Sequence, residues 1–231
     1  MYISTEELKR IQDHQPAPRA DRSLLRAAVA IILRDGEHGT ELLLMQRAIH
    51  EHDPWSGQMS FPGGKIDSGD ASAKAAAIRE AQEEVNLNLL EEDYVGQLDD
   101  LYGIKVDNQY SVHVACFVFK PERELFPQGN HEVADLVWLP ISFLDDPDNA
   151  HDFYHPRDNN IRMPAVLIDQ GKEQVLWGLS LRMISMLYEL IDRPLRVLSE
   201  VDYSALREID SRNMDSSKLD TTTQKILQRR A

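Results

Sequence analysis

The sequence predicts an α/β fold in which a few helices cover a mixed β-sheet. Apolar runs rich in β-branched and aromatic residues indicate strands at 24–33, 41–46, 94–102, 109–119, 133–139 and 162–168. Segments with helical periodicity are fewer, and lie at 3–14, 71–85 and 177–191. Because strands and helices do not alternate regularly, the pattern differs from that of a purely parallel βαβ sheet. Loops are expected at 50–70 and 151–160, and a single helical turn at 141–144.

Composition and charge narrow the class of protein. The 231 residues are 42% hydrophobic and 28% charged, which is typical of a globular chain that buries its own core. The formal net charge of −14 disfavours a nucleic-acid binder, since phosphate backbones require clustered Lys and Arg. No uninterrupted apolar run is long enough to span a membrane. The lone Cys116 and the polar N-terminus, which has no apolar signal core, predict a cytoplasmic protein with Cys116 as a buried hydrophobe.

The most informative stretch is the helix predicted from 74 to 85. At about 100° per residue, its small apolar residues share one arc that should be buried, formed by Ala77, Ile78, Ala81 and Val85. Glu80, Glu83 and Glu84 fall in the adjacent arc, so that three carboxylates project from one side of the helix. This pattern predicts a helix that packs closely and carries a concentrated negative charge beside its packing face.

That concentration of charge has two interpretations. Like charges three or four residues apart destabilise a helix by about 0.2–0.5 kcal/mol per pair, and Arg79 offsets part of this by pairing with Glu83. A hard divalent cation such as Mg²⁺ or Mn²⁺, which prefers carboxylate oxygens, would offset the rest. The alternative is a solvated charged helix face. The upstream Gly63-Gly64 pair favours the metal site, since backbone without a Cβ can approach a ligand closely.

These residues resemble the box of the Nudix hydrolases, G-x5-E-x7-R-E-U-x-E-E-x-G-U with U apolar. Gly64 opens the box, and its second half is matched by Arg79, Glu80, Ala81, Glu83, Glu84 and Leu87. The segment before Arg79 is one residue longer than the general pattern, with Asp70 near the place of the first glutamate. Asn86 replaces the final glycine, and Asn is the next-best residue for the left-handed conformation that ends a helix.

The resemblance implies an α/β/α sandwich and metal-dependent hydrolysis of a nucleoside diphosphate linked to another moiety. Glu80 and Glu84 would bind Mg²⁺ or Mn²⁺, Glu83 would bind metal or orient the attacking water, and the Gly64 carbonyl would complete the coordination. Arg79 would hold the glutamates in place. The family often dimerises, which suggests a homodimer. The implied domains are an N-terminal helix and linker at 1–23, a Nudix hydrolase domain at 24–198, and a polar tail or peripheral helix at 199–231.

Other residues are candidates outside the box. Glu132 is either a general base or extra metal ligand, as in many Nudix enzymes, or an exposed loop carboxylate. Trp55 either stacks on a base or nicotinamide-like ring or covers its loop. His50 and His52 are expected to be ordinary loop residues and not a transition-metal pair, because they have no further ligands.

One branch of the family is more similar than the others. Leu43-Leu44-x-x-Arg47, Gly57 and Phe61-Pro62-Gly63-Gly64 look like the signature of the coenzyme A pyrophosphatases, as does Trp177-Gly178. Arg47 is then a substrate-binding candidate. The branch usually carries basic residues where this chain has the acidic segment 51–53, so ADP-ribose, NADH and dinucleoside polyphosphates are the alternative substrates. A non-catalytic nucleotide sensor is a further alternative, although such domains commonly lose box glutamates that this chain keeps.

Overall fold

The computed structural model describes residues 1–17, 25–51, 53, 55–105, 110–155 and 158–198. The α-helices of this part of the chain are α1 (Thr5–Asp13), α2 (Ala73–Val85) and α3 (Gly178–Leu190). The strands are β1 (Leu25–Gly36), β2 (Gly39–Arg47), β3 (Met59–Ser60), β4 (Gly63–Lys65), β5 (Tyr94–Gln97), β6 (Leu101–Lys105), β7 (Tyr110–Phe119), β8 (Val133–Pro140), β9 (Ala150–His155), β10 (Asp158–Asp169) and β11 (Gln174–Trp177). Short 3₁₀ turns occupy Glu91–Asp93, Ile141–Asp145, Pro147–Asn149 and Arg196–Leu198.

The larger sheet is mixed and is built around β1. Its strands follow the order β3-β2-β1-β7-β5, with β4 added to β1, β6 to β7 and β8 to β2. The pairing of β1 with β7 is parallel and runs from Leu25 opposite Val112 to Ile32 opposite Phe119, whereas the other pairings are antiparallel. A smaller antiparallel sheet has the order β11-β10-β9. The predicted mixed sheet is therefore confirmed.

The larger sheet has an apolar cluster on each face, because successive residues of a strand point to opposite sides. In β1, Ala30 and Ile32 join the cluster under α2, while Ile31 and Leu33 join the cluster that contains α3. Ile11 of α1 is buried in the cluster that contains α3. Helices thus cover both faces of the sheet, and the α/β/α sandwich is confirmed.

Several predicted boundaries were wrong. The segment 50–70 is not entirely loop, since β3 pairs with β2 and β4 pairs with β1. The single strand predicted at 94–102 is two strands, β5 and β6, which pair with different parts of β7. The predicted loop at 151–160 contains most of β9 and the start of β10, which pair antiparallel. These short or polar segments take strand conformation from the backbone of a neighbouring strand and not from their own apolar pattern.

Helix α1 is capped at its N-terminus and is joined by an ion pair to the segment that follows α3. Ser4 caps α1 in a capping box with Glu7. Glu7 also hydrogen-bonds to Arg193, which follows α3. Residues 18–24 and 199–231 lie outside the described residues, so the domain boundaries at 23 and 198 stay predictions. No helix in the described ranges is long and apolar enough to cross a membrane.

Candidate active site

The helix α2 carries the candidate site and is strongly defined by its own sequence. Ser72 caps its N-terminus by accepting a hydrogen bond from the Ala75 N–H. Asn86 ends it in the left-handed conformation, with φ 55°, so the predicted substitute for glycine keeps the helix end. The buried face is formed by Ala76, Ala77, Ala81, Glu84 and Val85. Ile78 was predicted to be buried and is only partly so, because it lies at the margin of the helix contact with the sheet.

Glu84 was predicted to project with the other glutamates but is buried, with 2% of its surface exposed. Its carboxylate accepts a hydrogen bond from the Gly63 N–H at 2.8 Å and lies 3.8 Å from the Arg47 guanidinium. Burial raises the pKa of Glu84 to about 7, and these two contacts only partly oppose that effect. The carboxylate therefore faces the inside of the site, where a cation would stabilise its ionised form.

Arg79 donates hydrogen bonds to several neighbouring carboxylates. Its guanidinium donates to Asp70 at 3.0 and 3.1 Å, to Glu80 at 2.8 Å and to Glu83 at 2.9 Å. A further bond at 3.0 Å reaches the carbonyl of Lys65 in β4. The hydrogen bonds from Arg79 lower the pKa of Asp70, which keeps that carboxylate ionised beside the guanidinium. Asp70 thus supports the arginine from the position where the box usually has its first glutamate.

The two glycines upstream of α2 have different steric roles. A Cβ at Gly63 would lie 2.4 Å from the carbonyl oxygen of Ala28, so this glycine lets β4 pair with β1. A Cβ at Gly64 would lie 2.5 Å from the Glu80 carboxylate. Burial raises the pKa of Glu80 despite its contact with Arg79. The space left free at Gly64 is therefore filled by an acidic side chain of the site.

Glu132 lies in the loop before β8 and belongs to the same electrostatic neighbourhood. Its negative charge contributes to the raised pKa values of both Glu80 and Glu84. About half of its side chain is exposed, at 49%. Asn130, which sequence reasoning missed, accepts a hydrogen bond from the Glu132 N–H at 2.8 Å. No apolar periodicity or motif marks Asn130, and only its position two residues before Glu132 could have drawn attention to it.

Asp53, in the loop after β2, contacts both Arg47 at the end of β2 and Trp55. Arg47 donates to Asp53 at 2.8 and 3.0 Å, and Asp53 also accepts from the Trp55 N–H at 3.0 Å. Trp55 is partly buried against the core cluster that contains α3. The acidic Asp53 is thus paired internally, and His52 lies outside the described residues.

The residues at the site supply the oxygen donors that a hard metal ion binds. Their carboxylates, however, are bonded to other groups of the protein. Within the described residues, no three Asp, Glu, His or Cys side chains stand in a metal-holding group. Arg79 binds the carboxylates of Glu80 and Glu83, and the Gly63 N–H binds Glu84. The available donors are carboxylate oxygens and a glycine carbonyl, which a hard metal ion prefers. Burial raises the pKa of two of these carboxyl groups, Glu80 and Glu84, and a bound cation would favour their ionised form.

Comparison with known proteins identifies the family. The model of the NUDIX domain matches residues 24–158. The uncharacterized Nudix hydrolase NudL of Escherichia coli K12 is 32% identical over 170 residues, covering 71% of this chain and 82% of the relative. That of Pectobacterium atrosepticum is 31% identical over 163 residues, covering 68% and 79%. The chain therefore belongs to the Nudix hydrolases, enzymes that cleave phosphorus-containing anhydrides and that generally use divalent metals such as Mg²⁺ or Mn²⁺.

The fold agrees with this assignment. A MutT/nudix family protein from Enterococcus faecalis superposes with a TM-score of 0.52 at 16% identity, covering 98% of this chain and 88% of that protein. The prediction of a Nudix hydrolase is confirmed, and so is its Nudix-type fold. The coenzyme A branch and the roles of individual site residues stay predictions.

Proposed function

We propose that the chain hydrolyses the pyrophosphate bond of a nucleoside diphosphate linked to another moiety, with coenzyme A or a derivative as the preferred substrate. The observation that supports this most directly is the gathering of Glu80, Glu84 and Glu132 beside the Gly63-Gly64 backbone. Each carboxylate comes from the box or from the loop before β8, and their charges influence one another. Such a cluster would repel a pyrophosphate unless divalent cations bound there first.

The proposed roles follow from the contacts. Glu80, Glu83, Glu84 and the Gly64 carbonyl would hold Mg²⁺ or Mn²⁺, which when bound neutralises pyrophosphate oxygens and lowers the pKa of a water molecule. Arg79 donates hydrogen bonds to Glu80 and Glu83 and would keep these two carboxylates oriented.

In the reaction, the oxygen of a water molecule forms a bond to one phosphorus atom, and the bond from that phosphorus to the bridging oxygen breaks. The bridging oxygen leaves with the electron pair. Glu132, or Glu83 in its place, takes the proton of the attacking water on a carboxylate oxygen.

One feature supports coenzyme A within the family. The segments that resemble the coenzyme A branch meet in the fold, because Ser180 in the first turn of α3 donates to the Met59 carbonyl at 3.0 Å. The acidic Asp53 of the loop after β2 is paired with Arg47. Arg47 at the end of β2 and Trp55 on that loop are the proposed substrate-binding residues. We propose a homodimer in the cytoplasm, as the sequence predicts.

The proposal is tested by identifying reaction products. The full chain is incubated with Mg²⁺ or Mn²⁺ and with coenzyme A, ADP-ribose, NADH or a dinucleoside polyphosphate, and products are identified by mass spectrometry. We expect 3′,5′-ADP and 4′-phosphopantetheine from coenzyme A. The Glu83→Gln variant should fold normally, by circular dichroism, and should lose turnover.

The other outcomes are informative. Much faster cleavage of ADP-ribose or of a dinucleoside polyphosphate would overturn the coenzyme A assignment and keep the hydrolase. Nucleotide binding without cleavage in the presence of any divalent metal would instead establish a sensor.

A further inference from the structure

A short segment before β8 closes the C-terminal end of α2. The last turn of an α-helix leaves carbonyl oxygens without a partner inside the helix. Here the Val85 carbonyl accepts from the Gln128 N–H and the Glu84 carbonyl from the Asn130 N–H, both at 2.9 Å. The Glu83 carbonyl accepts from the side-chain amide of Asn130, also at 2.9 Å. Three carbonyls of the helix that carries the glutamates are therefore bound by two residues of one loop.

The same asparagine reaches forward along its own loop. Its carboxamide oxygen accepts the hydrogen bond from the Glu132 N–H at 2.8 Å. On the far side, the Glu132 carbonyl accepts from the Ala48 N–H at 2.7 Å, just beyond the end of β2. The backbone of Glu132 is thus held from two directions, while its half-exposed side chain lies 3.9 Å from the His131 imidazole.

We propose that Asn130 is a positioning residue, whose carboxamide sets the place of Glu132 relative to Glu83 and Glu84. The two ends of one planar amide bind the helix that carries the box and the residue that carries the additional carboxylate. A change in the distance between them must break one of these two bonds. The inference rests on the proposed function and deepens it, because it explains how a carboxylate on a loop is kept in register with carboxylates on a helix.

A structural role and a positioning role have different consequences. An asparagine that only capped α2 would act on stability and would affect turnover equally in any background. A positioning residue acts on turnover through Glu132, so its effect should disappear when Glu132 can no longer accept a proton. A shift of about 1 Å in a reacting group lowers turnover by one to two orders of magnitude.

The kinetic experiment is a double-mutant cycle with the full chain, Mg²⁺ and the best substrate of the product screen. Asn130→Ala should lower kcat about tenfold or more, with KM changed less than about threefold. Glu132→Gln should lower kcat about a hundredfold or more, and adding Asn130→Ala to it should cost little further. Asn88→Ala, which changes an exposed asparagine just beyond the same helix, is the matched control and should behave as wild type.

One further variant and one measurement without substrate complete the test. Asn130→Asp keeps an oxygen acceptor for the Glu132 N–H but has no donor for the Glu83 carbonyl, so it should lower kcat about as much as Asn130→Ala does. Hydrogen exchange of the Glu132 amide, measured by NMR, should be faster in Asn130→Ala and unchanged in Asn88→Ala. The exchange measurement reports on the contact even if the wild type cleaves none of the offered nucleotides, an outcome that would count against the proposed function and remove the catalytic part of this inference.

The inference is overturned by any of three results. Asn130→Ala could turn over as fast as the wild type. It could lower kcat by the same factor in the Glu132→Gln background, as a purely structural residue would. The Glu132 amide could also exchange equally fast in the two proteins, which would mean that the hydrogen bond does not restrain the loop.

Discussion

At the scale of single residues, the absence of a side chain at Gly64 makes room for a carboxylate of the site. Its missing Cβ leaves the space that the Glu80 carboxylate occupies, at 2.5 Å from where that Cβ would be. The obstructed atoms are at the end of a flexible side chain, so the strain of a larger residue is relieved by moving Glu80 and not the backbone. Position 64 should therefore matter more for catalysis than for stability.

Replacing Gly64 by alanine tests this directly. We expect Gly64→Ala to fold with a melting temperature close to that of the wild type and to lose about tenfold or more in kcat, because Glu80 is displaced. Gly69→Ala is the matched control, since nothing lies within 4 Å of a Cβ at that position. The control should keep full turnover, and equal turnover in both variants would show that Glu80 need not stay where it lies.

Asn86 shows how far the sequence determines a local geometry. An L-residue in the left-handed conformation costs about 1–2 kcal/mol, which Asn tolerates better than most residues and glycine avoids. The prediction that Asn86 preserves the helix end is confirmed by its φ of 55°. The burial of Glu84 was not predictable in the same way, since it depends on Gly63 and Arg47, which are far from it in sequence.

At the scale of elements, the end of α2 gives a second prediction. Asn86→Gly should leave the free energy of unfolding unchanged or slightly higher, whereas Asn86→Ala should lower it by about 1 kcal/mol. Urea denaturation of both variants measures the difference. If alanine were tolerated as well as glycine, the left-handed cap would not be what ends the helix.

The elements that the sequence predicted well are those whose own pattern decides them. The helices α1 and α2 carry serine caps and apolar periodicity, and β1 and β2 are continuous apolar runs of β-rich residues. By contrast, β9 is a polar segment, Ala150–His155, and it is a strand because β10 pairs with it. The ring centroids of Phe153 in β9 and Trp177 in β11 are 4.9 Å apart, and no local sequence pattern predicts this contact.

At the scale of the whole molecule, one ion pair joins α1 to the segment after α3 and makes stability depend on pH. Burial alone would raise the pKa of Glu7, but the hydrogen bonds from Arg193 and Ser4 outweigh it and lower the pKa to about 2, from 4.5. A lowered pKa in the folded state stabilises the fold above the unfolded value. That contribution is lost as the pH falls from about 5 towards 2.

The Glu7→Gln variant measures this contribution. Its free energy of unfolding should be lower than that of the wild type at pH 7, by up to about 3 kcal/mol, and the difference should shrink towards pH 2. The Glu6→Gln variant changes an exposed neighbour on the same helix, with 82% of the side chain exposed, and should follow the wild type. A difference between Glu7→Gln and wild type that is independent of pH would contradict the ionic origin.

The net charge of −14 makes a second prediction at this scale. The glutamates of the site add to a negative surface that repels a pyrophosphate, so turnover should disappear when a chelator removes divalent cations and return when Mg²⁺ or Mn²⁺ is added in excess. Full turnover in chelator, followed by the product assay, would contradict a metal-dependent mechanism.

The parallel pairing of β1 with β7 has a consequence for how the chain is made. Leu25 of β1 pairs with Val112 of β7, so β1 leaves the ribosome long before its partner strand has been synthesised. Until then it can form only the hairpin with β2 and the short pairing with β4. Because contacts between distant parts of a chain form slowly, formation of the β1–β7 pairing should limit the folding rate. The nascent chain would carry the whole Nudix box, yet the sheet that supports it would form only after β7 emerged.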